Sequence, residues 1–217
     1  MKELTYSLLA DGSSDKALLY PLTWLLRQLL PGTAINALWA DLRGLPEKPK
    51  DLSDRIVRTI QAYPCQLLFI HRDAEKDSLE LRKAEIHAAI SQLRDVPHPI
   101  VCVVPVRMME AWFLFSEEAI RLSAGNDSGV IELCLPKLAA IEDLADPKEL
   151  LYSLLRTASE LKGRRLQKFR PPACVHRLAE CIDDFAPLRQ LAAFQDAEQQ
   201  TRSAIEFLNT AQKTNCP

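Results

Sequence analysis

The chain has 217 residues and a formal net charge of −2, with 47% hydrophobic and 26% charged residues. That balance is ordinary for a globular protein long enough to bury roughly 70% of its unfolded surface. It excludes a global basic field, so any contact with nucleic acid must come from a local patch. No apolar run approaches the roughly eighteen residues of a membrane span. The opening MKELTYSLLADG has too short an apolar stretch and too early an acid for a signal peptide, so a cytoplasmic protein is expected. Cys65, Cys102, Cys134, Cys174, Cys181 and Cys216 are scattered without a C-x-x-C pair, which argues for reduced thiols and against a thiolate zinc site.

In chain order, Leu4–Ala10 is a short apolar run that reads as a buried strand and stops at Asp11-Gly12. A helical pattern follows from Ser13 to about Leu30, with Ser13 or Ser14 as cap and Asp15 in the first turn. Pro21 lies inside that stripe and predicts a kink or a break. Thr33–Leu42 reads as a second strand, Arg43–Lys50 as a loop, and Asp51–Tyr63 as a helix capped by Asp51 or Ser53. Gln66–Ile70 is a third strand, apolar after its first residue as a central parallel strand should be. Ser78–Leu93 is an amphipathic helix broken by Pro97 and Pro99, and Ile100–Val104 is a fourth strand. Beyond it Met108–Phe115, Glu117–Leu122, Leu135–Leu144, Lys148–Leu161, Cys174–Ile182 and Ala186–Leu208 all favour helix.

Strands alternating with helices of this length predict an α/β fold: a mostly parallel four-stranded sheet flanked by helices. A C-terminal all-helical extension follows. The expected organisation is an α/β domain over residues 1–122 and a helical extension over 123–217, with the seam in the turn Ser123–Gly129.

Acids cluster where such a sheet places its chemistry. Asp11 follows the first strand, with Asp15 four residues on, and Asp73, Glu75 and Asp77 follow the third, so both sets should reach the same edge. Carboxylates brought together repel unless a cation neutralises them, and Mg²⁺ or Mn²⁺ suits oxygen donors while keeping several waters. Glu110, after the fourth strand, is a further candidate ligand, with Arg107 nearby for a phosphate; the plainer alternative is that Met109, Trp112 and Phe113 pack as core while Glu110 faces water. This reading requires Asp11 and Asp73 to meet at one rim with no lysine or arginine between them. His71-Arg72-Asp73 spells the kinase catalytic-loop triplet, but no glycine-rich nucleotide loop or strand lysine accompanies it. His71 is expected to pack rather than to act as a base. Lys162, Arg164, Arg165, Lys168 and Arg170 surround Phe169 in a basic stretch that could grip a phosphate backbone if it shares a face with the acids, or simply form a solvated loop.

These residues resemble the Toprim (topoisomerase–primase) family. Asp11-Gly12-Ser13-Ser14-Asp15 is similar to its first motif, Glu-Gly-x-Thr/Ser-Asp/Glu, and Asp73-Ala74-Glu75 stands where the family carries Asp-x-Asp. Met109–Leu114 resembles the Glu-Ala-Trp segment of Toprim-like families often encoded beside ABC-type ATPases and related to overcoming-lysogenization-defect nucleases. The likeness covers about residues 4–115, with traces at His176-Arg177 and Pro187-Leu188-Arg189. It implies a Toprim/Rossmann-like sheet and a Mg²⁺- or Mn²⁺-dependent nuclease acting on phosphodiester bonds of DNA or RNA, often in phage defence. Asp11 would be the general acid/base, and Asp73, Glu75 or Asp77, and Glu110 would be metal ligands. Asp11 is one methylene shorter than the usual Glu, and Asp-x-Asp appears as Asp-x-Glu. These departures point to the alternative, a catalytically degenerate partner subunit of an ATPase or another protein. A third reading is a small-molecule phosphatase or phosphotransfer enzyme on the same acids.

Overall fold

The computed structural model describes residues 1–94, 96 and 98–214; Pro97, expected above as a helix breaker, and Cys216 lie outside the described residues. Four parallel strands, β1 (Glu3–Leu9), β2 (Ala34–Trp39), β3 (Leu67–His71) and β4 (Ile100–Val103), form one sheet in the order β2-β1-β3-β4. The sequence alternates within its apolar runs in a way that serves both faces. Leu4, Tyr6, Leu8, Leu67, Phe69, Val101 and Val103 enter one core, whereas Leu9, Leu68, Ile70, Cys102 and Val104 enter the other. A sheet buried on both sides needs helices on both sides, and the crossovers supply them. Helices α2 (Leu52–Ala62) and α3 (Leu79–Ser91) contribute Ile56, Ile86 and Ala89 to the smaller core. Helix α1 (Leu19–Leu29) covers the opposite face with Leu22, Leu25 and Leu26. The sheet is thus a Rossmann-like α/β layer.

After β1 the chain winds outward to β2, then returns past β1 to lay down β3 and β4. This order opens a crevice at the carboxyl ends of β1 and β3, where the direction of winding reverses. Asp11 and Asp73 lie just beyond those two strand ends.

The helical half is α4 (Glu117–Ser123), α5 (Pro147–Ala158), α6 (Gly163–Lys168), α7 (Pro171–Glu180) and α8 (Ala192–Thr214). It shares the sheet's larger core: Leu151, Leu155, Leu178, Phe185 and Phe194 pack in one cluster with Tyr6, Leu22 and Trp112. Trp112 meets Phe194 edge to face at 5.1 Å. Among the described residues no helix is long and apolar enough to cross a membrane.

Local chemistry explains where elements start. The predicted first helix is two pieces: a 3₁₀ stretch Ser13–Leu18, then α1. The break falls at Leu18, ahead of Pro21, which sits in the first turn of α1, where a missing N–H costs nothing. Ser13 and Ser14 do not cap this element; Gly12 begins it, and the Asp15 carboxylate reaches back to the Gly12 N–H at 2.7 Å. Asp51 caps α2 through the Asp54 N–H at 2.8 Å. Met109–Phe113, Leu138–Asp143 and Ala186–Gln190, expected as helix, are short 3₁₀ turns.

Candidate functional site

The crevice beyond β1 and β3 is a cleft of about 350 Å³ lined by Asp11, Gly12, Ser14, Asp15, His71, Arg72, Asp73, Glu75, Arg82 and Lys148. Its floor is His71, the last residue of β3, which is buried. His71 Nδ1 lies 3.0 Å from the Val103 carbonyl, and a carbonyl only accepts, so Nδ1 carries a proton. Nε2 then points into the cleft, 3.4 Å from Asp73 Oδ1 and 3.8 Å from Asp15 Oδ2. Two carboxylates facing one ring nitrogen need positive charge between them: a proton on Nε2 or Asp73, or a cation.

Asp73 is anchored by the Met109 N–H, which donates to Oδ1 at 2.8 Å. Burial pushes its carboxyl up to about 6; the nearby Glu110 and Asp15 charges add to this, and His71 opposes it. Behind Asp73, Glu110 is only 1% exposed and pairs with Lys148 Nζ at 3.2 Å. Sequence reasoning left Glu110 between a metal ligand and a water-facing residue; it is buried and paired across to α5.

Compared with family models, curated proteins and solved structures, the chain matches none of them. The chemistry of the cleft rests on its own residues.

Asp11 and Asp73 line the same cleft, as the strand pattern predicts, but arginines engage Asp11. The requirement that no arginine stand between the two acids is therefore not met, and the expected cation between Asp11 and Asp73 has no place. Arg55, from α2, donates to Asp11 Oδ1 and also to the Ala10 carbonyl at 2.6 Å; Arg72 Nε lies 3.4 Å from Oδ2. Burial would raise the Asp11 carboxyl, yet these guanidinium groups outweigh it and hold the group below the usual carboxylate range. The acid that meets Asp73 across His71 is therefore Asp15, which the sequence places in the same acid constellation and in the Toprim-like first motif but not among the expected metal ligands.

The loops after β3 and β4 are laced together. Ala74 N–H donates to the Pro105 carbonyl at 3.1 Å and Glu75 N–H to the Arg107 carbonyl at 2.8 Å. Glu75 and Arg107 both adopt left-handed backbone, with φ of 55° and 63°. Such non-glycine conformations persist only where the surroundings over-determine them. They turn Glu75 to the rim of the cleft, while the Arg107 guanidinium donates to the Glu75 carbonyl at 3.2 Å instead of lining the cleft. Asp77 is bound to Arg82 at 2.8 Å and also stays outside the lining.

The basic stretch is the exposed α6 and its flanks. Lys148 stands in the first turn of α5, whereas Lys162, Arg164, Arg165, Lys168 and Arg170 come after its far end, and none lines the cleft. The structure thus brings Asp11, Asp73 and Glu75 to one cleft with Glu110 behind it, and leaves Arg107, Asp77 and the α6 basic residues out. Arg72 comes with the His71-Arg72-Asp73 triplet at the end of β3, whereas Arg55, Arg82 and Lys148 join the site without a motif to announce them, each on a helix that reaches the rim through tertiary packing.

Among the described residues no three or more His, Cys, Asp or Glu side chains converge tightly enough, as placed, to close a metal cage. The donor chemistry nonetheless fits a divalent ion. Mg²⁺ is commonly held by one or two carboxylates plus waters, and Mn²⁺ also accepts imidazole. The Nδ1–carbonyl bond leaves His71 Nε2 as the ring nitrogen that faces the cleft, the usual outer arrangement of a metal-binding histidine.

Proposed function

We propose that this chain is a Toprim-like, divalent-cation-dependent hydrolase of phosphodiester bonds, centred on Asp15, His71 and Asp73. The observation that carries this reading is that acids delivered by the ends of β1 and β3 face a single imidazole nitrogen at the switch point of the sheet. Asp15 and Asp73, with Glu110 behind them, would hold Mg²⁺ or Mn²⁺, which when bound polarises a phosphoryl oxygen and eases deprotonation of water. His71 holds a proton at Nδ1 and presents Nε2 to the reacting edge. Arg72 and Lys148 supply positive charge in the same cleft for a phosphate oxygen. Asp11, kept ionised by Arg55 and Arg72, fixes where those guanidinium groups point; this is a positioning role, in place of the general acid/base role the resemblance implies. A setting in phage defence is part of the same proposal.

One observation favours the second reading, a catalytically silent partner subunit of an ATPase or another protein. The acid that takes the place of the family's glutamate is already neutralised by two arginines. Plasmid and single-stranded DNA incubated with Mg²⁺ or Mn²⁺ separate the two. Cleavage by the wild-type chain that needs the cation, and that falls by at least about a hundredfold in Asp73→Ala and Asp15→Ala, is expected. No cleavage by the wild-type chain, or cleavage undiminished in both variants, would overturn the hydrolase reading and favour the partner.

A further inference from the structure

A second cavity, of about 530 Å³, opens on the other side of Asp11 and Gly12, beyond the carboxyl ends of β1 and β2. Asp11 and Gly12 line both cavities, so the two adjoin at the sheet's edge. Their chemistry differs. The first is acidic and contains His71; the second has Trp39, Leu42 and Pro49 as apolar wall and Arg43, Lys48 and Arg55 as basic lining. Trp39 is the last residue of β2, an edge strand; it is half-buried, packs against the larger core and lines the cavity. The two carboxylates of this cavity are both tied to arginine: Asp41 to Arg43 at 2.6 Å, and Asp11 to Arg55. The volume falls within the roughly 300–1,000 Å³ of small-ligand sites.

An indole beside cations suits a flat aromatic group carrying a phosphate, and it adjoins the place where a phosphodiester would be cut. We propose that this cavity seats the nucleoside next to the cleaved phosphate, its base on Trp39 and the following phosphate on Lys48. A base reaches such a seat only when unpaired, so the substrate is single-stranded nucleic acid and not an intact duplex. The inference deepens the hydrolase reading and rests on it for the position of the cut.

The test is binding in EDTA, where nothing is cleaved. Fluorescence anisotropy of a labelled oligothymidylate, alone or annealed to its complement, is followed with the wild-type chain and with Trp39→Ala, Trp39→Phe and Lys48→Ala. The single strand should bind more tightly than the duplex. Trp39→Ala should weaken it by about tenfold, while Trp39→Phe, which keeps a stacking face, stays close to wild type. Lys48→Ala, at an exposed position, should weaken binding and lower the salt dependence by about one counterion. Binding unchanged in both Trp39→Ala and Lys48→Ala, or a duplex held as tightly as the single strand, overturns the proposal. Thymidine monophosphate competing as well as the strand would also overturn it, in favour of a free nucleotide. The two readings fail separately: Trp39-dependent binding without cation-dependent cleavage sinks the hydrolase reading alone, whereas cleavage indifferent to Trp39 sinks the nucleoside seat alone.

Discussion

At the scale of single residues, the cleft sorts its carboxylates by their neighbours. Asp11, beside two guanidinium groups, is held ionised; Asp73, buried with Glu110 and Asp15 for company, is pushed up to about 6. The second shift has a measurable sign. The folded chain binds a proton at Asp73 more tightly than the unfolded chain, whose carboxyl titrates near 3.9. Stability contributed at this site is therefore greatest below about pH 4, declines as pH rises to about 6, and is level above. Asparagine keeps the oxygen that accepts from the Met109 N–H and removes the charge. Asp73→Asn should be more stable than wild type at about pH 7.5, by about 1–3 kcal/mol, the upper figure being the full linkage value and the 29% exposure of the side chain trimming it. The measurement is urea unfolding at several pH values; a variant less stable than wild type above pH 6 would contradict this account. Asp11 and Asp73 were legible in the sequence because each follows an apolar strand. Asp15 was legible as one of the clustered acids, but its meeting with His71 was not, since that depends on the register between β1 and β3. Lys148 was not legible at all, because its approach to Glu110 is made by α5, which begins nearly forty residues later in the chain.

At the scale of elements, the four strands were read correctly in type and order because each is a short apolar run bounded by turn residues. The 3₁₀ pieces were missed for the opposite reason: apolar spacing at Met109–Phe113 or Ala186–Gln190 suits one turn of either helix, and packing decides between them. Nor did the sequence say how the sheet ends. The β4 edge is sealed by α8, where the Gln200 side chain imitates a neighbouring strand: Oε1 accepts from the Cys102 N–H at 3.0 Å and Nε2 donates to the Cys102 carbonyl at 3.4 Å. Asp196 steadies the amide at 2.7 Å and is itself paired with Lys83 of α3 at 2.6 Å. Gln200→Ala strips two partners from a buried backbone position and should lower stability by about 1–3 kcal/mol in chemical unfolding. Amide exchange at Cys102 should accelerate with it. An unchanged midpoint and unchanged exchange would show that α8 covers β4 by packing alone.

For the whole molecule, the strand order puts the switch point between β1 and β3, and the helical half stiffens that point from one side. Helix α7 packs along the 3₁₀ stretch that carries Asp15, while α5 brings Lys148 to Glu110. Residues from 4 to 205, on both sides of the turn Ser123–Gly129, share the larger core. The central claim is that the space around His71 Nε2, Asp15 and Asp73 takes a divalent cation, and thermal melting in a Mn²⁺ titration at about pH 7.5 tests it most directly. A cation bound only by the folded chain stabilises it by mass action, by about 2.7 kcal/mol at a hundredfold excess over its dissociation constant. The account predicts a melting temperature that climbs with Mn²⁺ in the wild-type chain and stays flat in Asp73→Asn. A flat wild-type curve, or an equal climb in Asp73→Asn, would contradict it.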